Sequence, residues 1–219
     1  VDDVNVINAA LATDSSWNVT LTGGDTFNAL NFETLGTFPC FVRGTRIETT
    51  EGQIEIQELA PGDFVLTNDH GYQAVRWIKS AKFSRQQLAE NPSLAPVLIK
   101  RGALGMGLPE RDLLVSQQHR MYVSNRVADR VFKIPEALVA AKQLVAVDGI
   151  DIQYDAQEVE YVHFMCERHE LVRAEGALTE TLYTGPEAIK SLTDESAEKI
   201  MTLFPELAKH ASTGILPPS

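Results

Sequence analysis

The first 42 residues contain no Lys or Arg, the whole chain has only two cysteines, and no apolar run approaches the length of a bilayer. Each shortage excludes something. Cys40 and Cys166 can pair at most once, too few for a disulfide scaffold. Without a run of roughly 20 apolar residues there is no candidate transmembrane helix. Basic charge is scarce overall, with 19 Lys and Arg against 30 Asp and Glu and a formal net charge of -11. That excess repels phosphate backbones and anionic lipid, so neither nucleic acid nor a membrane surface is an expected partner. The chain opens Val1-Asp2-Asp3 with no Met, basic n-region or apolar h-region, so no signal peptide is visible in it. A piece of a longer protein would look the same, and export stays open.

What is present is ordinary for a globular chain. Hydrophobic residues make up 44% and charged residues 22% of 219 positions, enough for one core plus an appendage. Residues 1–39 are rich in Asn, Asp, Thr, Ser and Gly, with a short β-type run at Trp17-Asn18-Val19-Thr20-Leu21 and a Gly23-Gly24-Asp25 turn. Arg43 is the first basic residue, and the shift in composition marks a junction at Cys40. From there to Thr67 short alternating runs follow one another. They are Thr45 to Thr49, Gln53 to Ile56 and Phe64 to Thr67, with turns at Glu51-Gly52 and Ala60-Pro61-Gly62-Asp63. Another turn at Asn68 to Gly71 precedes a run from Ala74 to Ile78. Turn signals every eight to twelve or so residues predict an all-β domain.

Further strands are expected at Val97 to Ile99, Leu113 to Val115, Glu158 to Phe164 and Glu170 to Ala174. Ser84 to Asn91 reads as a short helix stopped by Pro92. Pro135, at a first helical position before Glu136 to Ala140, reads as another. The tail reads as helical from Pro186, with Asp194 capping Glu195 to Leu203 and Ala197, Ile200, Met201 and Phe204 on one face. There is no internal repeat.

Three separated segments carry chemistry-bearing side chains. The first is Cys40-Phe41-Val42-Arg43-Gly44-Thr45-Arg46-Ile47, completed by Leu59 and Gly62-Asp63. The second is Asp112 to Arg120, containing Ser116-Gln117-Gln118-His119. The third holds His163, then Arg168-His169-Glu170 to Gly176, and Thr179-Glu180-Thr181. Singly, each has a plain reading. A Cys at a strand start is usually a small buried residue, Ser-x-x-His is often a polar turn, and paired strand histidines are often structural. His163 and His169 stand six apart in a β context and do not form the tighter ligand pairs of a metal site, so no metal is expected.

Together the three segments resemble the Hint (Hedgehog/intein) family, in particular its bacterial intein-like members. The Cys-x-x-Gly-Thr-x-Ile start with Leu-x-x-Gly-Asp resembles the N-terminal splice block. Ser116 to His119 matches the block of general form Thr-x-x-His, and Arg168 to Gly176 matches the block near the C-terminal end. The resemblance implies an N-terminal flank over 1–39, an autoprocessing domain over 40–185, and a C-terminal helical extension over 186–219. It also implies a compact antiparallel β-fold with pseudo-twofold character.

For function, the resemblance implies that Cys40 attacks the carbonyl of Pro39 and turns the Pro39-Cys40 amide into a thioester. Its catalytic set would be Cys40, Ser116, His119, His163 and His169. His119 would protonate the departing amine, and Ser116 would donate a hydrogen bond to the carbonyl or the imidazole. His163 would contact the cysteine. The substrate is the chain's own N-terminal flank, the acceptor is water, a thiol or an amine, and an acyl shift needs no cofactor.

The departures are as informative as the matches. A splicing intein closes on His-Asn, whose Asn cyclises, whereas those places hold Glu180 and Thr181. The resemblance therefore implies no Asn-driven C-terminal cleavage, and chemistry that stops at the thioester as in Hedgehog-type domains. Pro39 crowds the acyl carbon and lacks an N–H, so slow processing is expected. Cys166 reads as a buried small hydrophobe, with an accessory thiol or a redox lock on Cys40 as the alternative. Two other functions compete. One is a degenerate domain of this family serving as a binding or secretion-associated module. The other is an ordinary cysteine hydrolase, although the usual helix after the nucleophile is missing. The acidic charge and polar flank suit a secreted or cell-surface bacterial protein under the first two readings.

Overall fold

A computed structural model of the protein describes residues 19–20, 26–27, 39–124 and 136–181. Val19–Thr20 (β1) and Thr26–Phe27 (β2) form a small antiparallel pair. The remaining strands build two larger sheets. One runs in the order β13 (Ile150–Ile152), β9 (Val97–Ile99), β10 (Leu113–Val115), β3 (Phe41–Val42), β14 (Glu158–Met165) and β8 (Trp77–Ser84). The other runs β12 (Glu136–Ala140), β11 (Arg120–Ser124), β16 (Ala177–Glu180), β15 (Leu171–Ala174), β4 (Arg46–Thr49), β6 (Phe64–Thr67) and β7 (Gly71–Ala74). In it β5 (Gly52–Glu55) pairs with β4. The fold is mostly β and its strand pairings are antiparallel.

The meander from β4 to β7 follows directly from turn chemistry. Ile47 and Thr49 alternate inward on β4, and Val65 and Thr67 do so on β6. At the first turn the Thr49 hydroxyl donates to the Gly52 carbonyl at 2.7 Å, and Gly52 takes φ +97°, a conformation that costs other residues about 1–2 kcal/mol. Thr67 makes the equivalent bond to Gly71 at 2.7 Å. The expected run from Ala74 to Ile78 is broken instead, with β7 ending at Ala74 and β8 starting at Trp77. From Trp77, β8 pairs residue for residue with the whole of β14.

The short helix stands where Ser84 predicts it, over Arg85–Glu90 (α1), with Ser84 and Gln87 exchanging both bonds of a capping box. The other expected helix is a correction. Glu136–Ala140 is strand β12, paired along its whole length with β11. Five residues make too few turns to hold a helix, whereas as a strand they bury Ala137, Leu138 and Val139. The expected Gly23 to Asp25 turn and the helical tail from Pro186 lie outside the described residues. Phe41, Ile47, Val65, Leu113, Met121 and Phe164 are among the buried residues of one continuous core, each contributing about 1.5–3 kcal/mol by leaving water.

Candidate functional site

Strand register brings the first, second and third segments to one point. β3 is only two residues long, held between β10 and β14, with Phe41 opposite Val115 on one side and Val162 on the other. Continuing both antiparallel ladders by one residue sets Cys40 opposite Ser116 and opposite His163. The contacts follow. The Ser116 N–H donates to the Cys40 carbonyl at 2.9 Å, and the Cys40 N–H donates to Ser116 Oγ at 3.0 Å. On the other side Cys40 Sγ lies 3.3 Å from His163 Nδ1.

Ser116 therefore holds the cysteine's own amide through an accepting oxygen. The β3–β10 register sets the Ser116 oxygen against the Cys40 N–H, from which it accepts; a hydroxyl that accepts there keeps its own proton to donate.

A tight turn returns the chain from Ser116 to His119, whose N–H donates to the Ser116 carbonyl at 3.0 Å. The His119 ring is fully buried and meets the edge of Phe41, centroids 4.4 Å apart. Its Nε2 is hydrogen-bonded to Thr179 Oγ1, and that hydroxyl donates to the Arg120 carbonyl at 2.9 Å. Its Nδ1 is buried with no hydrogen-bond partner. Trp77 covers His163, ring centroids 5.1 Å apart.

Burial sets the protonation of this cluster. It pushes the Cys40 thiol well above the usual cysteine range. It pulls His163 down to about 4 and His119 down to about 3, the Cys40 backbone partly offsetting the latter. Near neutral pH the site holds a protonated thiol and two neutral imidazoles. Such a set can pass a proton between sulfur and nitrogen but does not hold a standing thiolate.

The remaining expected residues lie beside this cluster. His169 Nε2 sits 3.0 Å from Glu180 Oε2, on a side chain that is a third exposed. Glu180 also accepts the Arg120 N–H at 3.3 Å. Its neighbour on β16, Thr179, is the one that reaches His119. Thr181 Oγ1 accepts from the Glu170 N–H at 3.0 Å. Pro39 is half-buried at the start of the described segment. Cys166 is buried in the core and free, as is Cys40, and burial raises its thiol to about 12, the Glu170 carboxylate adding to the rise. Among the described residues no cluster of three or more His, Cys, Asp or Glu is arranged to hold a metal ion, and no helix is long and apolar enough to cross a membrane.

Sequence reasoning passed over Phe41, Trp77 and Thr179 as members of the site. Phe41 and Thr179 stand within the first and third segments with no role assigned to either, and nothing local marks Trp77. Thr179 is 60 residues from His119, and the β11–β16 pairing of Met121 with Thr179 brings the two regions together.

A protein-family model described as a Hint domain matches residues 39–186. No curated protein matches the chain. Among solved structures, the gp41-1 intein is similar at 16% identity and a TM-score of 0.40, over 64% of this chain and 97% of that one. A bacterial intein-like domain from Clostridium thermocellum is similar at 15% identity and a TM-score of 0.45, over 65% and 98%. The MchDnaB-1 intein is similar at 10% identity and a TM-score of 0.41, over 65% and 99%.

Proposed function

Since the chain belongs to the Hint domain family, we propose that it is a self-processing domain whose Cys40 cleaves the Pro39-Cys40 bond through an N–S acyl shift. One observation carries this reading: the Cys40 amide N–H is held by Ser116 Oγ at 3.0 Å while its sulfur lies 3.3 Å from His163 Nδ1. The peptide and the nucleophile are fixed together in a buried pocket.

The sulfur reaches the Pro39 carbonyl carbon through a five-membered ring, and such intramolecular attack carries an effective molarity on the order of 10⁵–10⁸ M. Burial raises the thiol and lowers the imidazoles, which favours the neutral pair, so sulfur sheds its proton to His163 as the C–S bond forms. The C–N bond then breaks, and the proton lost by sulfur ends on the Cys40 nitrogen, with His119 as the relay on that side. Atoms and charge balance without a cofactor. Water, a thiol or an amine then takes the acyl group and releases the flank 1–39.

His169 braces Glu180 on this reading, and the chemistry ends at the thioester. Glu180 and Thr181 fill the places where an intein keeps His-Asn, and neither forms a succinimide. Pro39 slows both formation and resolution of the thioester.

Incubation with hydroxylamine tests the reading. The expected products are a 1–39 hydroxamate and a 40–219 fragment, both missing from Cys40→Ala. An unchanged mass across conditions would instead favour a binding module, a reading consistent with the protonated, buried thiol.

A further inference from the structure

Cys40 and His163 meet on the side of their sheet that faces away from the main core. Val162 and Phe164 turn from β14 into that core, so by strand alternation Tyr161 and His163 turn to the other face. Cys40 Sγ joins them there, 3.3 Å from His163 Nδ1. A face turned from the core would ordinarily meet water, yet Cys40, Tyr161 and His163 are all buried. Trp77 lies over His163. The Tyr161 side is roofed by the excursion between β8 and β9, helix α1 followed by a single 3-10 turn at Pro92–Leu94.

Leu88 of α1 and Leu94 of the turn are buried. Phe83, at the root of the excursion, meets the Tyr161 ring edge-on with centroids 6.0 Å apart. Two side chains then tie the turn down. The Tyr161 hydroxyl donates to the Leu94 carbonyl at 2.8 Å in a buried bond. Gln117 Nε2 donates to the Pro92 carbonyl at 2.8 Å and to the Ala95 carbonyl at 3.1 Å, which uses both protons of its amide. The Gln117 backbone is fixed in turn, its carbonyl accepting the Lys142 N–H at 3.0 Å.

Both anchors stand next to the residues that grip the cysteine. Gln117 follows Ser116, and Tyr161 shares a face of β14 with His163. β3 is only two residues long, so the pair it aligns depends on contacts outside its own ladder. We infer that Tyr161 and Gln117 are positioning residues: they pin residues 85–95 as a cap that keeps water from the Cys40 thiol and holds it against His163. The consequence for catalysis rests on the acyl-shift reading. There the proton leaves sulfur only as the C–S bond forms, and misplacing the reacting atoms by about 1 Å can cost on the order of 10²-fold.

The test uses the full chain as wild type, Tyr161→Phe and Gln117→Met, each variant losing its donor at nearly constant size. Alkylation by iodoacetamide without added thiol, followed by peptide mass mapping, reads each cysteine separately. Cys166 is free and buried in the main core, which makes it the internal control. Cys40 labelling should rise by about tenfold in each variant, the change in local opening that one lost hydrogen bond brings, while Cys166 labelling stays at its wild-type rate. Thiol-induced cleavage should fall by about tenfold or more.

A general loss of stability would raise both cysteines together, and that result overturns the inference, as does unchanged labelling of Cys40. Cleavage that is unchanged or faster while Cys40 alone opens would make the cap a mere barrier to the acceptor and overturn the positioning role. If Tyr161→Phe fails to fold, Gln117→Met decides. If no chain is cleaved, wild type included, while Cys40 alone opens in the variants, the cap stands and the acyl shift is what fails.

Discussion

Cys40 Sγ and His163 Nδ1 lie 3.3 Å apart although 123 residues separate them. Their meeting is a consequence of register: Val162 pairs with Phe41, and one step along the same ladder sets the thiol against the imidazole. Without a base at that distance a buried thiol stays protonated. Replacing His163 with Ala should therefore slow thiol-induced cleavage by about 10²–10⁴-fold, read by intact mass, while circular dichroism shows the β-fold retained.

Ser116→Ala removes the acceptor of the Cys40 N–H. A buried donor left without a partner costs about 1–3 kcal/mol. The expected outcome is a matching loss of stability in urea denaturation together with slower cleavage. Ser116→Thr keeps the oxygen and should restore most of both.

Acid should destabilise the fold in a defined window. The ordinary histidine value is 6.5, and the folded values of His163 and His119 lie near 4 and 3. Between pH 6.5 and about 4 the unfolded chain binds protons that the folded chain refuses, so stability is full above 6.5 and falls as pH drops. Each histidine contributes up to about 1.4 kcal/mol per pH unit in that window. Denaturation of Cys40→Ala at pH 7.5 and pH 5 measures the slope, and adding His163→Gln should reduce it by about half.

Gly176 turns β15 into β16 at φ +78°, and an added Cβ would also come within 2.9 Å of Glu110 Cδ. The exposed Glu110 side chain can move aside, so the backbone conformation sets the cost. Gly176→Ala should lower stability by about 1–2 kcal/mol, checked by thermal unfolding. Since the strand it starts carries Thr179, cleavage should slow as well.

Much of this arrangement could be read from local chemistry. The β4–β7 meander announces itself through inward Ile47, Val65 and Thr67 and the glycines at its turns, and Ser84 with Gln87 writes its own helix start. The two blocks holding Cys40 and His119 stand out because their residue types are reactive. Glu136 to Ala140 misled because its four apolar residues, Ala137 to Ala140, show no period long enough to tell helix from strand, and β11 across the sheet decides it. Thr179 was illegible for a similar reason. A threonine on a strand is unremarkable until the partner strand delivers an imidazole to it. The role of Ser116 turned on register too, since its residue type alone leaves donor and acceptor equally open.

The acyl shift is tested most directly by an intact-mass time course of the full chain with dithiothreitol, beside Cys40→Ala. The account predicts slow, thiol-dependent appearance of two fragments meeting between residues 39 and 40, faster in Pro39→Gly and absent from Cys40→Ala. A full-length mass that never changes, or the same fragments from Cys40→Ala, would contradict it.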